Sequence, residues 1–135
     1  LGDPETEVIL PLIESDFAQL CLAAVEGRLD THQLKIKVGA SVGVVLAAEN
    51  YPGTPVKGDV INGLDKIADN DVFVYHAGTQ LKNEQWLSGG GRVLVLSAVG
   101  ETVQKALDKA YQNIAKIKFR GMQYRKDIAH RILNK

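Results

Sequence analysis

The most restrictive feature of this sequence is a change in apolar spacing at Gly100. After that residue, apolar side chains recur at steps of three and four, the period of one helix face. They are Val103, Ala106, Leu107, Ala110, Tyr111, Ile114 and Ile117. Before Gly100, the apolar residues form short runs rich in valine, which are typical of buried β-strands. The sequence therefore predicts a long amphipathic helix that follows a set of strands.

The predicted strands are residues 40–48, 72–76 and 92–96. Turn residues separate them, among them Tyr51-Pro52-Gly53 and the three glycines at 89–91. Residues 122–124 are predicted to pair as a short edge strand, and Asp127 to cap a last helix that runs through Leu133. The expected fold class is α+β, with antiparallel strands covered by helices.

Residues 4–26 carry a second helical stripe, which Pro11 interrupts. Because proline cannot donate to the preceding turn, we expect a short helical turn first and the main helix after Pro11. Asp3 is expected to cap the first turn, and Gly27 to end the helix. Cys21, the only cysteine, lies in this stripe and is expected to be a buried packing residue. A single cysteine excludes a disulfide framework and favours a reducing compartment.

Length and charge restrict the class of protein further. A chain of 135 residues is about the size of one domain. Sixteen Lys and Arg residues balance sixteen Asp and Glu residues, so no overall field favours nucleic acid or an anionic membrane as partner. The apolar runs are far shorter than the ~20 residues that a membrane span needs, so we expect a cytoplasmic protein. The sequence starts at Leu1 without an initiator Met, and an excised fragment is expected.

Several charged residues could carry chemistry, and each also has a structural interpretation. Arg125 and Lys126 directly precede the predicted helix start, where cations and free helical N–H groups can bind an anion, although a solvated surface pair is the alternative. Arg92 follows the three glycines and could reach a ligand without crowding, or it could be an exposed turn residue. Asp3 and Glu5 could simply interact with the dipole of the first helix. His76 titrates near neutral pH, but a hydrogen-bonded structural role is favoured.

Five motifs along the chain resemble, in the same order, those of the phosphoribosylamine-glycine ligases. They are Gly2-Asp3-Pro4-Glu5-Thr6, Asn50-Tyr51-Pro52-Gly53 with Lys57-Gly58, His76-Ala77-Gly78-Thr79, Gly90-Gly91-Arg92-Val93-Leu94, and Tyr124-Arg125-Lys126-Asp127-Ile128. Each motif alone is weak, but together the five cover the whole chain. Two positions depart from the family pattern, with Leu1 in place of the usual Phe and Ala129 in place of the usual Gly.

The resemblance implies the C-terminal domain of an ATP-grasp ligase of purine biosynthesis. Such an enzyme joins 5-phosphoribosylamine and glycine into glycinamide ribonucleotide and splits ATP into ADP and phosphate. Its cofactors would be ATP with magnesium or manganese, and the metal ligands, a Glu-x-Asn pair, would lie just upstream of Leu1. Residues 1–30 would then end the ATP-grasp domain and include a connecting helix, and residues 31–135 would form the C-terminal ligase domain.

The resemblance also implies roles for the charged residues. Asp3 would be a catalytic residue that orients the attacking amine, with Glu5 as a second substrate-orienting group. Arg125, Lys126 and Arg92 would bind the 5-phosphate of the substrate. The fragment alone is expected to be inactive and to bind none of the cofactors, and its macromolecular partners would be the missing N-terminal and ATP-grasp domains, with no nucleic acid or membrane. The alternative is an autonomous, non-catalytic binding module with the same fold, which an initiator Met directly before Leu1 would favour.

Overall fold

The valine-rich runs form one antiparallel sheet in the computed structural model, which describes residues 1–134. The strands are β1 (Ala40–Ala47), β2 (Val72–His76), β3 (Thr79–Lys82), β4 (Gln85–Ser88) and β5 (Arg92–Gly100), and the helices are α1 (Glu5–Ile9), α2 (Phe17–Val25), α3 (Val103–Ile114) and α4 (His130–Leu133). β5 lies in the centre of the sheet, between β1 and β2, and pairs antiparallel with both. β3 and β4 form a separate antiparallel hairpin. The predicted α+β fold class is confirmed.

The core lies between the sheet and α3. On β1, alternate residues Val42, Val44 and Leu46 are buried against this helix, as the two-residue period of a strand requires. The helix contributes small residues, Ala106 and Ala110, so its backbone can approach the sheet closely. Full burial of each large apolar side chain stabilises the fold by about 1.5–3 kcal/mol. The period seen after Gly100 therefore encodes the main packing face of the molecule.

The N-terminal stretch divides at Pro11 as expected, but the caps differ. α1 runs into a short 3₁₀ turn at Leu10–Leu12, and α2 follows. The expectation that Asp3 caps the first turn is wrong, because no side chain caps α1 and the Asp3 carboxylate is bound elsewhere. Asp16 caps α2 instead and accepts hydrogen bonds from the N–H groups of residues 18 and 19. Gly27 follows the helix with a φ of 68°, the left-handed conformation that ends helices.

The prediction that Cys21 is buried is wrong, since Cys21 is exposed. α2 buries only Ala23 in the described chain, although most of its residues are apolar. Helical periodicity identifies the face that a helix can bury, but it does not say whether the partner for that face is present. None of the helices within residues 1–134 combines the length and the apolar character that crossing a membrane requires.

The last helix starts later than predicted, at His130 rather than Asp127. The Asp127 carboxylate caps no helix, because it is bound by the Arg125 guanidinium. Ala129 precedes α4 with a φ of 64°, in a left-handed conformation that glycine adopts more readily. The predicted edge strand at 122–124 is reduced to one bridge, between Gln123 and Ala47.

Candidate functional site

A cleft opens at one end of the sheet, on the face that α3 does not cover. Its volume is about 400 Å³. The lining residues are Val45, Ala47, Tyr51, Arg92, Gln123, Tyr124 and Arg125. Two of the three predicted phosphate-binding residues, Arg92 and Arg125, therefore lie around the same space, although they are far apart in the sequence. The apolar floor and the cationic walls suit a ligand that has an anionic end.

Arg92 stands at the edge of this cleft because β5 begins there. The Tyr51 ring packs closely on Gly91, the glycine before Arg92. In the sheet, Arg92 pairs with Ala47 of β1. Its guanidinium forms an ion pair with Asp3, with 3.0 Å between Nη2 and Oδ2, and Nη1 donates to the Asp3 carbonyl oxygen at 3.0 Å. The two side chains are 39% and 49% exposed, so both remain open to a ligand. The structure thus brings together Asp3 and Arg92, which were predicted from separate motifs.

Arg125 also lines the cleft and is held there by contacts of its main chain and its side chain. The Tyr111 hydroxyl of α3 donates to the Arg125 carbonyl oxygen at 2.8 Å. The guanidinium donates from Nε to Asp127 Oδ1 at 2.8 Å and from Nη2 to Oδ2 at 2.5 Å. The hydrogen bond from Arg125 lowers the pKa of Asp127 to about 2, and the same contact raises the pKa of Arg125. Arg125 is therefore cationic and already bound in the bidentate geometry that suits carboxylates and phosphates.

Lys126 and Glu5 are not among the residues that line the cleft. Lys126 is exposed next to Arg125. Glu5 lies in the first turn of α1, and its carboxylate folds over Gly2. The expected helical N–H groups at Asp127 are also missing from the site, because α4 starts three residues later. The cationic part of the cleft consequently depends on the two guanidinium groups.

His76 lies outside the cleft and makes the contacts of a structural residue. Its ring packs on Trp86, with 4.2 Å between the ring centroids, and Nδ1 lies 2.9 Å from the Thr79 hydroxyl. Partial burial lowers the pKa of the imidazole below its usual range. These contacts agree with the structural role that the sequence favoured.

Five residues of the cleft were not identified from the sequence as site residues: Val45 and Ala47 of β1, and Tyr51, Gln123 and Tyr124. Tyr51 belongs to a motif, Asn-Tyr-Pro-Gly, that was interpreted only as a turn and as part of the family resemblance. Gln123 and Tyr124 lie on an irregular segment that β1 brings into place through one bridge. The sequence predicted that residues 122–124 pair at the edge of a sheet, but no local pattern could have shown that they would line a cleft.

The comparisons with known proteins identify the family. The family model described as phosphoribosylglycinamide synthetase, C domain, matches residues 41–131. The chain belongs to this family. The phosphoribosylamine-glycine ligase of Neisseria meningitidis serogroup A is 49% identical over 136 residues, and a bifunctional purine biosynthetic protein of Schizosaccharomyces pombe is 44% identical over 133 residues. The family resemblance inferred from the five motifs is confirmed.

A solved structure agrees with this assignment. The crystal structure of the phosphoribosylamine-glycine ligase of Thermotoga maritima superposes with a TM-score of 0.79 at 37% identity, over 94% of this chain and 31% of that one. The match to the Neisseria ligase covers 99% of this chain and 32% of that protein. The match to the Schizosaccharomyces protein covers 98% of this chain and 17% of that protein. The chain thus spans about a third of the length of the ligases, and its residues 41–131 match their C domain.

Proposed function

We propose that this chain is the C-terminal part of an ATP-dependent ligase that joins 5-phosphoribosylamine and glycine in purine biosynthesis. The proposal is supported by the family and by the names of the relatives, which describe ligases of this type and a purine biosynthetic protein. The overall reaction consumes ATP and releases ADP and phosphate with glycinamide ribonucleotide. We place the enzyme in the cytoplasm, with the remaining domains of its own protein as its macromolecular partners.

Within that enzyme, the cleft binds the phosphoribosyl end of the substrate. The observation that carries this assignment is the placement of Arg92 and Arg125 on the walls of one cleft. Each guanidinium presently holds a carboxylate, Asp3 or Asp127, and both pairs are at the surface. A phosphate dianion can displace or share these contacts, because exposed ion pairs contribute little to stability and phosphate accepts bidentate hydrogen bonds from arginine. Lys126, directly beside Arg125, adds positive charge outside the cleft.

Asp3 has a second role in this proposal. Its carboxylate lies beside Arg92, at the entrance of the phosphate cleft, and is half exposed. A carboxylate in that position can accept a hydrogen bond from the substrate amine while the phosphate is held by the arginines. Orientation of the amine raises the rate because the two reacting groups no longer have to find each other. Glu5, two residues after Asp3 and the first residue of α1, is the second candidate for orienting the amine.

The metal ligands that the family resemblance implies, a Glu-x-Asn pair, would lie just upstream of Leu1. We therefore assign ATP and its magnesium or manganese to the part of the ligase outside this chain. The residues described above bind and orient the phosphoribosyl substrate only.

The proposal is tested by comparing the intact protein with the 135-residue chain. The intact protein should form ADP only when phosphoribosylamine and glycine are both present. The chain alone should form no glycinamide ribonucleotide and should release no heat in a calorimetric titration with magnesium-ATP. Saturable binding of ATP to the chain at micromolar concentrations, dependent on magnesium, would contradict this assignment of the domains.

A further inference from the structure

Tyr51 lines the cleft, and its ring lies against Gly91, the residue before Arg92. The side chain is 40% exposed, although it is aromatic. It follows β1 in a turn whose backbone is fixed, because the Tyr51 N–H donates to the Ala48 carbonyl oxygen at 3.2 Å. A partly exposed aromatic ring gives the cleft a flat apolar surface in addition to the two guanidinium groups that line it.

The ring rests directly on the backbone at Gly91. A Cβ atom added at Gly91 would lie 2.6 Å from Tyr51 Cδ2 and 3.2 Å from Cε2, which is closer than van der Waals contact allows. Gly91 is not among the glycines with positive φ, so its backbone would accept alanine. The absence of a side chain at this position is therefore required by the Tyr51 ring and not by the chain conformation.

The carbonyl of Tyr51 is held by Gln123, a neighbouring residue that also lines the cleft. The Gln123 amide nitrogen donates to the Ala48 carbonyl oxygen at 2.8 Å and to the Tyr51 carbonyl oxygen at 3.1 Å. The Gln123 backbone also pairs with Ala47, with N–H to O distances of 2.8 and 3.0 Å. Tyr51 is thus fixed at its main chain by Gln123 and at its ring by Gly91.

We propose that Tyr51 is the residue that recognises the pentose ring of the substrate, and that Gly91 acts as its positioning residue. This inference rests on the proposed function, since the arginines must hold the phosphate. A pentose joined to that phosphate extends over the apolar part of the cleft. Its C–H face can pack on the Tyr51 ring, as apolar surfaces pack on aromatic faces. This contact uses the face of the ring and not the hydroxyl, and the charge that binds the phosphate comes from the arginines.

The test uses the intact ligase and two probes, ribose 5-phosphate and inorganic phosphate, in calorimetric titrations. Tyr51→Leu should weaken ribose 5-phosphate by about threefold to tenfold and leave inorganic phosphate within about twofold. Tyr51→Phe keeps the ring and should bind both probes within about twofold of wild type. Gly91→Ala should reproduce the loss for ribose 5-phosphate because it displaces the ring.

The double variant shows whether Gly91 acts through Tyr51. If it does, Gly91→Ala combined with Tyr51→Leu binds ribose 5-phosphate no more weakly than Tyr51→Leu alone. Additive losses overturn the role of Gly91. Equal weakening of both probes by Tyr51→Leu, with a thermal midpoint like that of wild type, overturns the role of Tyr51. Arg125→Ala should weaken both probes, and if it weakens neither, the phosphate assignment itself has failed, which is a different result from a failure at Tyr51.

Discussion

At the scale of single residues, the cleft is defined by two guanidinium groups that each hold a carboxylate. Arg92 binds Asp3 and Arg125 binds Asp127, so the free cleft is less cationic than its arginines alone would make it. This arrangement keeps both guanidinium groups oriented without a ligand. The sequence identified both arginines, but it could not show that Asp3 and Asp127 would be their partners instead of helix caps.

His76 is expected to be neutral at pH 7. Partial burial lowers its pKa below the usual 6.5, so the native state binds fewer protons than the unfolded chain in the window below pH 6.5. The stability that His76 contributes is therefore fully present above that pH and is lost as the pH falls through the folded pKa. An NMR titration of the His76 ring should give a midpoint below 6.5. A midpoint at or above 6.5 would contradict the packing of the ring on Trp86.

At the scale of elements, the helices and strands that were predicted correctly are those with the clearest apolar spacing in the sequence. α3 and the strands of the main sheet were found because apolar spacing repeats over many residues. The β3–β4 hairpin was not predicted because each strand has only four residues and most residues of β3 are exposed. Its turn, Asn83-Glu84, has positive φ at both residues, and glutamate gives no signal for this conformation.

The start of α4 provides a test of backbone strain. Ala129 has a φ of 64°, where a Cβ atom is disfavoured. Ala129→Gly should therefore raise the free energy of unfolding, by up to about 1 kcal/mol after the greater backbone entropy of glycine is subtracted. Ala115, at the end of α3, is an exposed control in the right-handed conformation, and Ala115→Gly should lower stability by about 0.5–1 kcal/mol. Urea unfolding of both variants measures the difference, and destabilisation by both substitutions would contradict strain at Ala129.

At the scale of the whole molecule, exposed apolar side chains concentrate in the N-terminal stretch. Nine of the thirteen large apolar side chains exposed in the described chain lie within residues 1–38: Leu1, Ile9, Phe17, Leu22, Val25, Leu29, Leu34, Ile36 and Val38. Leu10 and Ile13 are only partly buried. Surface of this kind is typical of an interface. Such a surface fits the predicted division of domains, in which residues 1–30 end the ATP-grasp domain and include a connecting helix. That division stays a prediction.

New charges on this surface should have opposite effects on the isolated chain and on the intact ligase. Leu22→Lys combined with Val25→Lys should raise the solubility of the 135-residue chain, because both side chains are exposed there. In the intact ligase the same pair should lower the thermal midpoint, since the lysines would be buried at the interface. Leu81→Lys, at an exposed position of β3, is the control and should be neutral in the ligase. An unchanged midpoint for the Leu22 and Val25 pair would mean that another surface meets the missing domains.

The most direct test of the proposed site is the kinetics of Arg125→Ala in the intact ligase, with each substrate varied in turn. Loss of a charge-assisted contact of about 1.5–3 kcal/mol should raise the KM for phosphoribosylamine by roughly tenfold to a hundredfold. The KM values for ATP and glycine should be unchanged, and Arg125→Lys should recover only part of the loss because it lacks the planar fork. Lys105→Ala, which removes a cation on α3 outside the cleft, should behave as wild type. A defect of Arg125→Ala in ATP, in glycine or in stability alone would contradict the assignment of the phosphate to this cleft wall.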